Sequence, residues 1–373
     1  MNHVADSIDA SFSVQWTHRL RFTTCAFSEG GTVDSLLQEL QPLRLLVVVD
    51  EGLATTNDSF TESLNRWCQR TETVCAEPMI VTGGENAKIN FSVVDQVLLS
   101  IHANDICRKS CILVIGGGAV LDAVGFAASI GHRGIPILRM PSTTLSQGDS
   151  GVGVKNGVNY FDKKNFIGTF DPPYAVINDS SLLETLTDEH WRSGLSEAIK
   201  VALIKDKTLF DEIELHAKEF IERDMDAMVA VLHRSAELHL RHITECGDPF
   251  EQEEARPLDF GHWAAHKLEQ LTNYELSHGD AVAIGLSIDL MCSVHLGFLD
   301  KAIADRAISL LNSLGFPTSH PALENPSLLD GIEEFRQHLG GQLTLLMLRD
   351  IEDPIDIHRL EHDVVRQVIA ELM

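Results

Sequence analysis

Residues 43–50, LRLLVVVD, form an apolar run that ends in an acid, the pattern of a parallel strand buried on both faces. Residues 78–82 (PMIVT) and 111–115 (CILVI) repeat it, and residues 91–107 between them carry the spacing of an amphipathic helix. Residues 11–24, SFSVQWTHRLRFTT, alternate as a half-buried strand or hairpin arm would. After about residue 180 the texture turns helical, over 182–206, 208–222, 224–244, 260–272, 280–296 and 299–313. Strands alternating with helices predict a parallel sheet. The expected fold is therefore an α/β N-terminal nucleotide-binding domain, residues 1–180, followed by an all-α C-terminal domain, residues 181–373, that holds metal and substrate. A small-molecule site is expected in the cleft between them.

Charge narrows the partners. A formal net charge of -26 repels nucleic acid and anionic lipid, so neither is an expected partner. A phosphorylated ligand would need a local basic island. The seven cysteines form no CxxC pair, and the first residues, MNHVADSIDA, lack the basic and apolar regions of a signal peptide. No apolar run is long enough to span a bilayer. A soluble, cytoplasmic protein is the expectation.

Three stretches carry chemistry. In CILVIGGGAVLDAVGF a strand meets three glycines and then a helix, so Gly117 and Gly118 let backbone N–H groups approach a dinucleotide pyrophosphate. Asp50, ending its strand, can accept from a ribose hydroxyl pair, or can simply cap a helix; the loop Gly83–Lys88 adds Glu85 and Lys88. A carboxylate at the ribose favours NAD over NADP. Glu197, His262 and His278, each on or at a predicted helix, offer one carboxylate and two imidazoles to a divalent ion and leave positions open for substrate. His266, one helical turn after His262, is a rival ligand. Residues 140–171 read as a long irregular stretch, rich in Gly, Ser, Thr, Asn and Lys. Lys155, Lys164 and Asn165 there can donate to a phosphate, and Asp149 can hold a hydroxyl or a lysine.

Eight segments in order, GGENAK, GGGAVLDAVGF, HRGIPILRMPSTT, DSGVGVKNGVN, KKNFIGTF, GLSEAIK, DFGHWAAH and HGDAVAIG, resemble the 3-dehydroquinate synthase superfamily of sugar phosphate cyclases, from about Asp50 to Gly341. The resemblance implies a homodimer that uses NAD and Zn2+ or Co2+. It implies metal ligands Glu197, His262 and His278, and substrate-site residues Asp149, Lys155, Lys164, Asn165, Lys200 and His266. It places Arg133 at the neighbouring subunit's phosphate pocket, and Asp122, Thr143 and Thr144 at the cofactor. The implied reaction oxidises an alcohol, eliminates phosphate, reduces the ketone again and closes a ring by aldol addition, which makes the enzyme a carbon–oxygen lyase.

The dehydroquinate branch holds a substrate carboxylate with a lysine and an arginine. Counting back from His262, those positions fall on Arg241 and Ala255, with Arg256 one residue displaced. Asp259 stands where that branch has Asn, and GVGVKNGVN and RPLDFGHW are similar to cyclases of sedoheptulose 7-phosphate, which has no carboxylate. The family's C-terminal DKK element is replaced by EEFRQHLGG, leaving Arg336 as a substitute for its second lysine. The expected substrate is a phosphorylated seven-carbon sugar, sedoheptulose 7-phosphate ahead of the carboxylated substrate of 3-dehydroquinate synthase. Two further rivals are a metal-dependent polyol dehydrogenase of the glycerol dehydrogenase type, disfavoured by Lys155, Lys164, Asn165 and Lys200, and a binding protein without catalysis, disfavoured by the metal ligands.

Overall fold

A computed structural model describes residues 7–161, 163–250, 257–338 and 341–373. Its first half is built on a six-stranded parallel sheet in the order β1-β8-β5-β4-β2-β3. The strands are β1 (Leu20–Thr23), β2 (Leu45–Asp50), β3 (Met79–Val81), β4 (Cys111–Gly116), β5 (Ile137–Pro141) and β8 (Ala175–Asp179). Every residue of β2 and β4 is buried, which is why both read as unbroken apolar runs. Helices α1 (Thr32–Leu40), α2 (Glu51–Thr56), α3 (Asp58–Arg70), α4 (Ser92–Ala103) and α5 (Gly118–Ile130) complete the layers. Two apolar clusters result: Val93, Val97, Val120 and Val124 pack with Leu46 and Val48, while Phe60, Leu64 and Trp67 pack with Val47 and Val49. The chain runs from β2 outward to β3 and then returns to the other side of β2 as β4. The C-terminal ends of β2 and β4 therefore flank a topological switch point, where α/β sheets open a crevice for ligands.

The second half holds α6 (Asp188–Lys205), α7 (Lys207–Leu215), α8 (Ala217–Ile221), α9 (Met225–Glu245), α10 (His262–Leu271), α11 (His278–His295), α12 (Lys301–Ser313), α13 (Asp330–His338) and α14 (His362–Leu372). α11 is the central helix: Gly279–Ser293 is buried without a break. A helix apolar on all sides belongs in the middle of a bundle. Among the described residues no helix is long and apolar enough to cross a membrane.

The structure departs from the sequence reading at four places. Only Leu20–Thr23 of residues 11–24 is strand, paired parallel to β8. The stretch 140–171 is largely regular: a π-helical turn, Ser146–Ser150, precedes an antiparallel hairpin of β6 (Lys155–Tyr160) and β7 (Lys163–Phe170). β7 lies largely exposed, so its alternation carries Lys, Asn and Gly and resembles a loop. The predicted helix over 208–222 is two helices, α7 and α8, broken at His216. The helical half also carries an antiparallel hairpin, β9 (Leu345–Asp350) with β10 (Asp353–Ile357), so it is not wholly α.

Candidate active site

α6, α10 and α11 bring three ligands to one point. Glu197 lies in the middle of α6 with no solvent exposure. His262 opens α10 and His278 opens α11. The Nε2 atoms of both histidines stand 3.3 Å from Glu197 Oε1. His262 Nδ1 lies 3.1 Å from the Phe260 carbonyl, and His278 Nδ1 lies 3.1 Å from Glu269 Oε2. A carbonyl or carboxylate can only accept, so each Nδ1 carries a proton, and Nε2 is the atom left to bind a cation beside Glu197. Among the described residues neither Glu197 oxygen has a donor with hydrogen-bond geometry, although Lys200 Nζ lies 2.5 Å from Oε2 as an ion pair. Converging lone pairs on a buried carboxylate and two imidazoles fit a divalent ion with open coordination positions.

Burial would raise the Glu197 carboxyl, yet Lys200 and then His262 hold it well below the usual range. Burial works against a charge on His278, but Glu269 and Glu197 push it up to about 9 in the metal-free chain. A second possible group, His266, Glu269 and His278, shares one histidine with the first. Glu269 is already engaged there. Its Oε1 accepts from Lys164 Nζ at 2.6 Å, and its Oε2 meets the His278 nitrogen that faces away from Glu197. His266 stacks on His278 with ring centroids 5.9 Å apart. Burial, with Lys164 and His262 nearby, keeps it neutral. The triad Glu197–His262–His278 is therefore the better cation site, with His266 beside it.

Glu269 escaped the sequence reading, although His262, His266 and Glu269 share one helix face at i, i+4 and i+7. It fixes the tautomer of His278 and is itself tied to β7 by Lys164, so a charged chain joins the hairpin of the first half to the triad of the second. Carboxylates that hold a metal-ligating histidine from behind contribute about 10- to 100-fold in metal affinity. Glu269→Gln is expected to weaken Zn2+ binding by about that factor. Competition with a chromophoric chelator measures it, and unchanged affinity would reduce Glu269 to a packing residue.

The cofactor candidates gather at the switch point. Gly117 is the N-cap of α5, without a side-chain cap, so first-turn N–H groups remain available to an anion. Asp50 caps α2 through Gly52 N at 2.8 Å and also faces Gly117 N at 3.4 Å, so the cap and the crevice wall are one residue. Thr143 bonds Ser146 across the turn after β5, 2.8 Å between hydroxyls. Glu85 accepts from Asn159 at 2.6 Å. Buried Lys88 donates to Asp122 at 2.6 Å and to Asn165 at 2.5 Å, which places it between the glycine turn and the hairpin rather than at a ribose. Thr144 is a joint between the two halves: its hydroxyl donates to His190 O and accepts from Gly194 N on α6.

The other expected residues divide. Lys200, Asp149 and Asp259 lie around the triad: Asp149 and Asp259 both act on the Lys200 charge. Asp149 is further bonded to His239, Nδ1 to Oδ1 2.7 Å, a partner the sequence reading did not find. Lys155 opens β6 and is exposed. Arg241 does not join the site; it is half exposed and pairs with Glu237 at 2.7 Å, one turn earlier on α9. Arg336 likewise pairs with Glu333 on an exposed helix face. Arg133 is exposed on the turn closing α5, roughly 20 Å along that helix from the glycine turn. Arg256 lies outside the described residues.

Two family models match residues 78–336 of the chain: 3-dehydroquinate synthase N-terminal over residues 78–193 and 3-dehydroquinate synthase C-terminal over residues 194–336. The 3-dehydroquinate synthase of Halorhodospira halophila is 33% identical over 328 residues, covering 87% of this chain and 91% of its own. A 2-epi-valiolone synthase of Actinosynnema mirum is 30% identical over 349 residues, covering 91% and 88%. Among solved structures, the 2-epi-5-epi-valiolone synthase ValA of Streptomyces hygroscopicus subsp. jinggangensis 5008, with NAD+ and Zn2+ bound, matches with a TM-score of 0.89 and 27% identity over 98% of this chain and 99% of its own. With the triad, the glycine turn and both halves of the fold accounted for, the chain belongs to the 3-dehydroquinate synthase family.

Proposed function

We propose that this protein is an NAD- and divalent-metal-dependent sugar phosphate cyclase acting on sedoheptulose 7-phosphate as a homodimer. The observation that carries the substrate is the character of the wall beside the triad. Among its described residues, Asp149 and Asp259 stand near Lys200, His239 is bonded to Asp149 and His242 neighbours Asp259, while Arg241 turns outward to Glu237. A wall of acids and imidazoles suits hydroxyls better than a carboxylate.

When bound, NAD supplies and recovers a hydride, and the metal supplies a Lewis acid for the alcohol being oxidised. Glu197, His262 and His278 would hold the metal; Asp50, Glu85, the Gly117–Gly118 turn, Asp122 and Thr143 would hold the dinucleotide. Lys155, Asn165 and His266 orient the phosphate, with Lys164 and Lys88 as the buried charges behind them. Lys200 and Asp149 orient substrate hydroxyls. Arg133, exposed and unable to reach the site of its own chain, completes the phosphate pocket of the second subunit. The remaining steps, phosphate loss and ring closure, need positioning and fixed charge more than new protein chemistry.

The test is phosphate release by the metal-loaded protein with catalytic NAD. Sedoheptulose 7-phosphate and 3-deoxy-arabino-heptulosonate 7-phosphate are offered in parallel, with mass spectrometry of the products. Release from the first is expected. Release from the second alone would identify a 3-dehydroquinate synthase, and NADH accumulating without phosphate release would identify a dehydrogenase.

A further inference from the structure

α9 turns a stripe of residues toward the π-helical turn Ser146–Ser150 and the loop that follows it. Ser235 Oγ donates to Gly148 O at 3.2 Å. One turn on, His239 Nδ1 meets Asp149 Oδ1 at 2.7 Å. His242 Nδ1 is buried without a hydrogen-bond partner among the described residues. From the other side His18 Nε2 lies 2.7 Å from Val152 O, and buried Arg139 donates to Gly153 O at 2.8 Å, so the loop is held at both ends. So far His239 and His242 figure only as part of the wall beside the triad, with no role of their own.

The electrostatics give this stripe a definite character. Burial would raise Asp149, but Lys200 and His239 keep it below the ordinary range despite nearby Glu197. Asp149 is thus an anion, and its Oδ1 accepts the Nδ1–H of His239, which leaves Nε2 as the ring nitrogen turned away from Asp149. That nitrogen faces Gly153, where a side chain's first carbon would stand 4.0 Å away and none is present. Burial and then Lys205 lower His242 to about 4, so it is uncharged near neutrality, with His239, Lys155 and Asp259 as its other titratable neighbours. The side chains of His239 and Asp149 keep 13% and 17% of their exposure, enough for a ligand to reach them.

We propose that His239, held by Asp149 and backed by His242, is the specificity-determining residue of this site, reading a substrate hydroxyl at a place where a carboxylate is refused. A hydroxyl donates into Nε2. A carboxylate has no proton to donate and would face Asp149 and Asp259 instead. The inference rests on the reading that the substrate is a phosphorylated seven-carbon ketose.

Both sugar phosphates named above are titrated calorimetrically into the Zn2+- and NAD-loaded protein, alongside kcat/KM from phosphate release. His239→Leu is expected to weaken binding and kcat/KM for sedoheptulose 7-phosphate by about 10- to 100-fold, mostly through KM, as loss of one buried hydrogen bond does. His239→Gln, which restores an acceptor, is expected to recover part of this loss. His239→Lys is expected to move the preference toward the carboxylated sugar by at least about tenfold. The proposal is overturned if His239→Leu changes neither constant for sedoheptulose 7-phosphate, or if the Leu and Gln variants lose both sugars equally, the mark of a structural role. A wild-type protein that binds only the carboxylated sugar instead removes the substrate reading, so the two failures are told apart by which protein shows them.

Discussion

Glu197→Gln is expected to abolish phosphate release while leaving the fold intact. The substitution keeps the volume of a side chain that has no exposure, so no cavity opens. What disappears is the one anionic ligand of the triad. Both imidazoles then face an amide, and the metal loses its strongest electrostatic partner. A Lewis acid at an alcohol supplies several kcal/mol, so the expected loss is about 10^3-fold or more. Lys200, 2.5 Å from Glu197 and itself buried, keeps Asp149 as a counter-charge, which limits the cost to stability. His262→Ala is expected to act in the same direction. The measurements are metal content after desalting, phosphate release and a thermal melt. A variant that retains both metal and full activity would remove Glu197 from the site.

Glu197, His262 and His278 stood out as candidates in the sequence through GLSEAIK, DFGHWAAH and HGDAVAIG, with His266 as a rival until the family resemblance favoured His278; what the chain pattern did not carry is their convergence. The core strands were legible because a strand buried on both faces has no choice but to be apolar. Residues defined by their partners were not. Glu269 looks like any helical glutamate until Lys164, more than a hundred positions away, is seen against it. Arg241 and His239 show the limit most directly. Counting along the chain from His262 gives a position, but two residues on a helix are about 200° apart around the axis. The residue counted to faces water, and its near neighbour faces Asp149. Lys88 and Thr144 differ for the same reason: both were marked as cofactor-binding, but their polar atoms are spent joining one part of the structure to another.

Gly285→Ala is expected to cost about 3 kcal/mol or more and to take metal binding with it. α10 and α11 carry two of the three ligands, and they cross where Gly261 precedes one helix and Gly285 lies within the other. A methyl group on Gly285 would stand 2.0 Å from Gly261 O, a backbone atom that cannot swing aside. Gly261 in turn has φ +79, and a side chain there would meet Leu286 N at 2.8 Å. One turn along α11, Asp289 accepts from Gly261 N and from Trp263 Nε1, each at 2.8 Å. The residues on either side of His262 are therefore clamped by a single face of α11, while His278 opens that same helix. Spreading the helices by even part of a methyl diameter moves His262 and His278 relative to each other. In the wild type, added Zn2+ is expected to raise the melting temperature, because the ion binds the folded triad and not the open chain. In Gly285→Ala the midpoint is expected to fall, and the rise with Zn2+ to vanish. A variant that melted low yet kept the full rise with Zn2+ would separate stability from ligand placement. The close approach of the two helices would then serve the core alone, and the position of His262 would be set by Asp289.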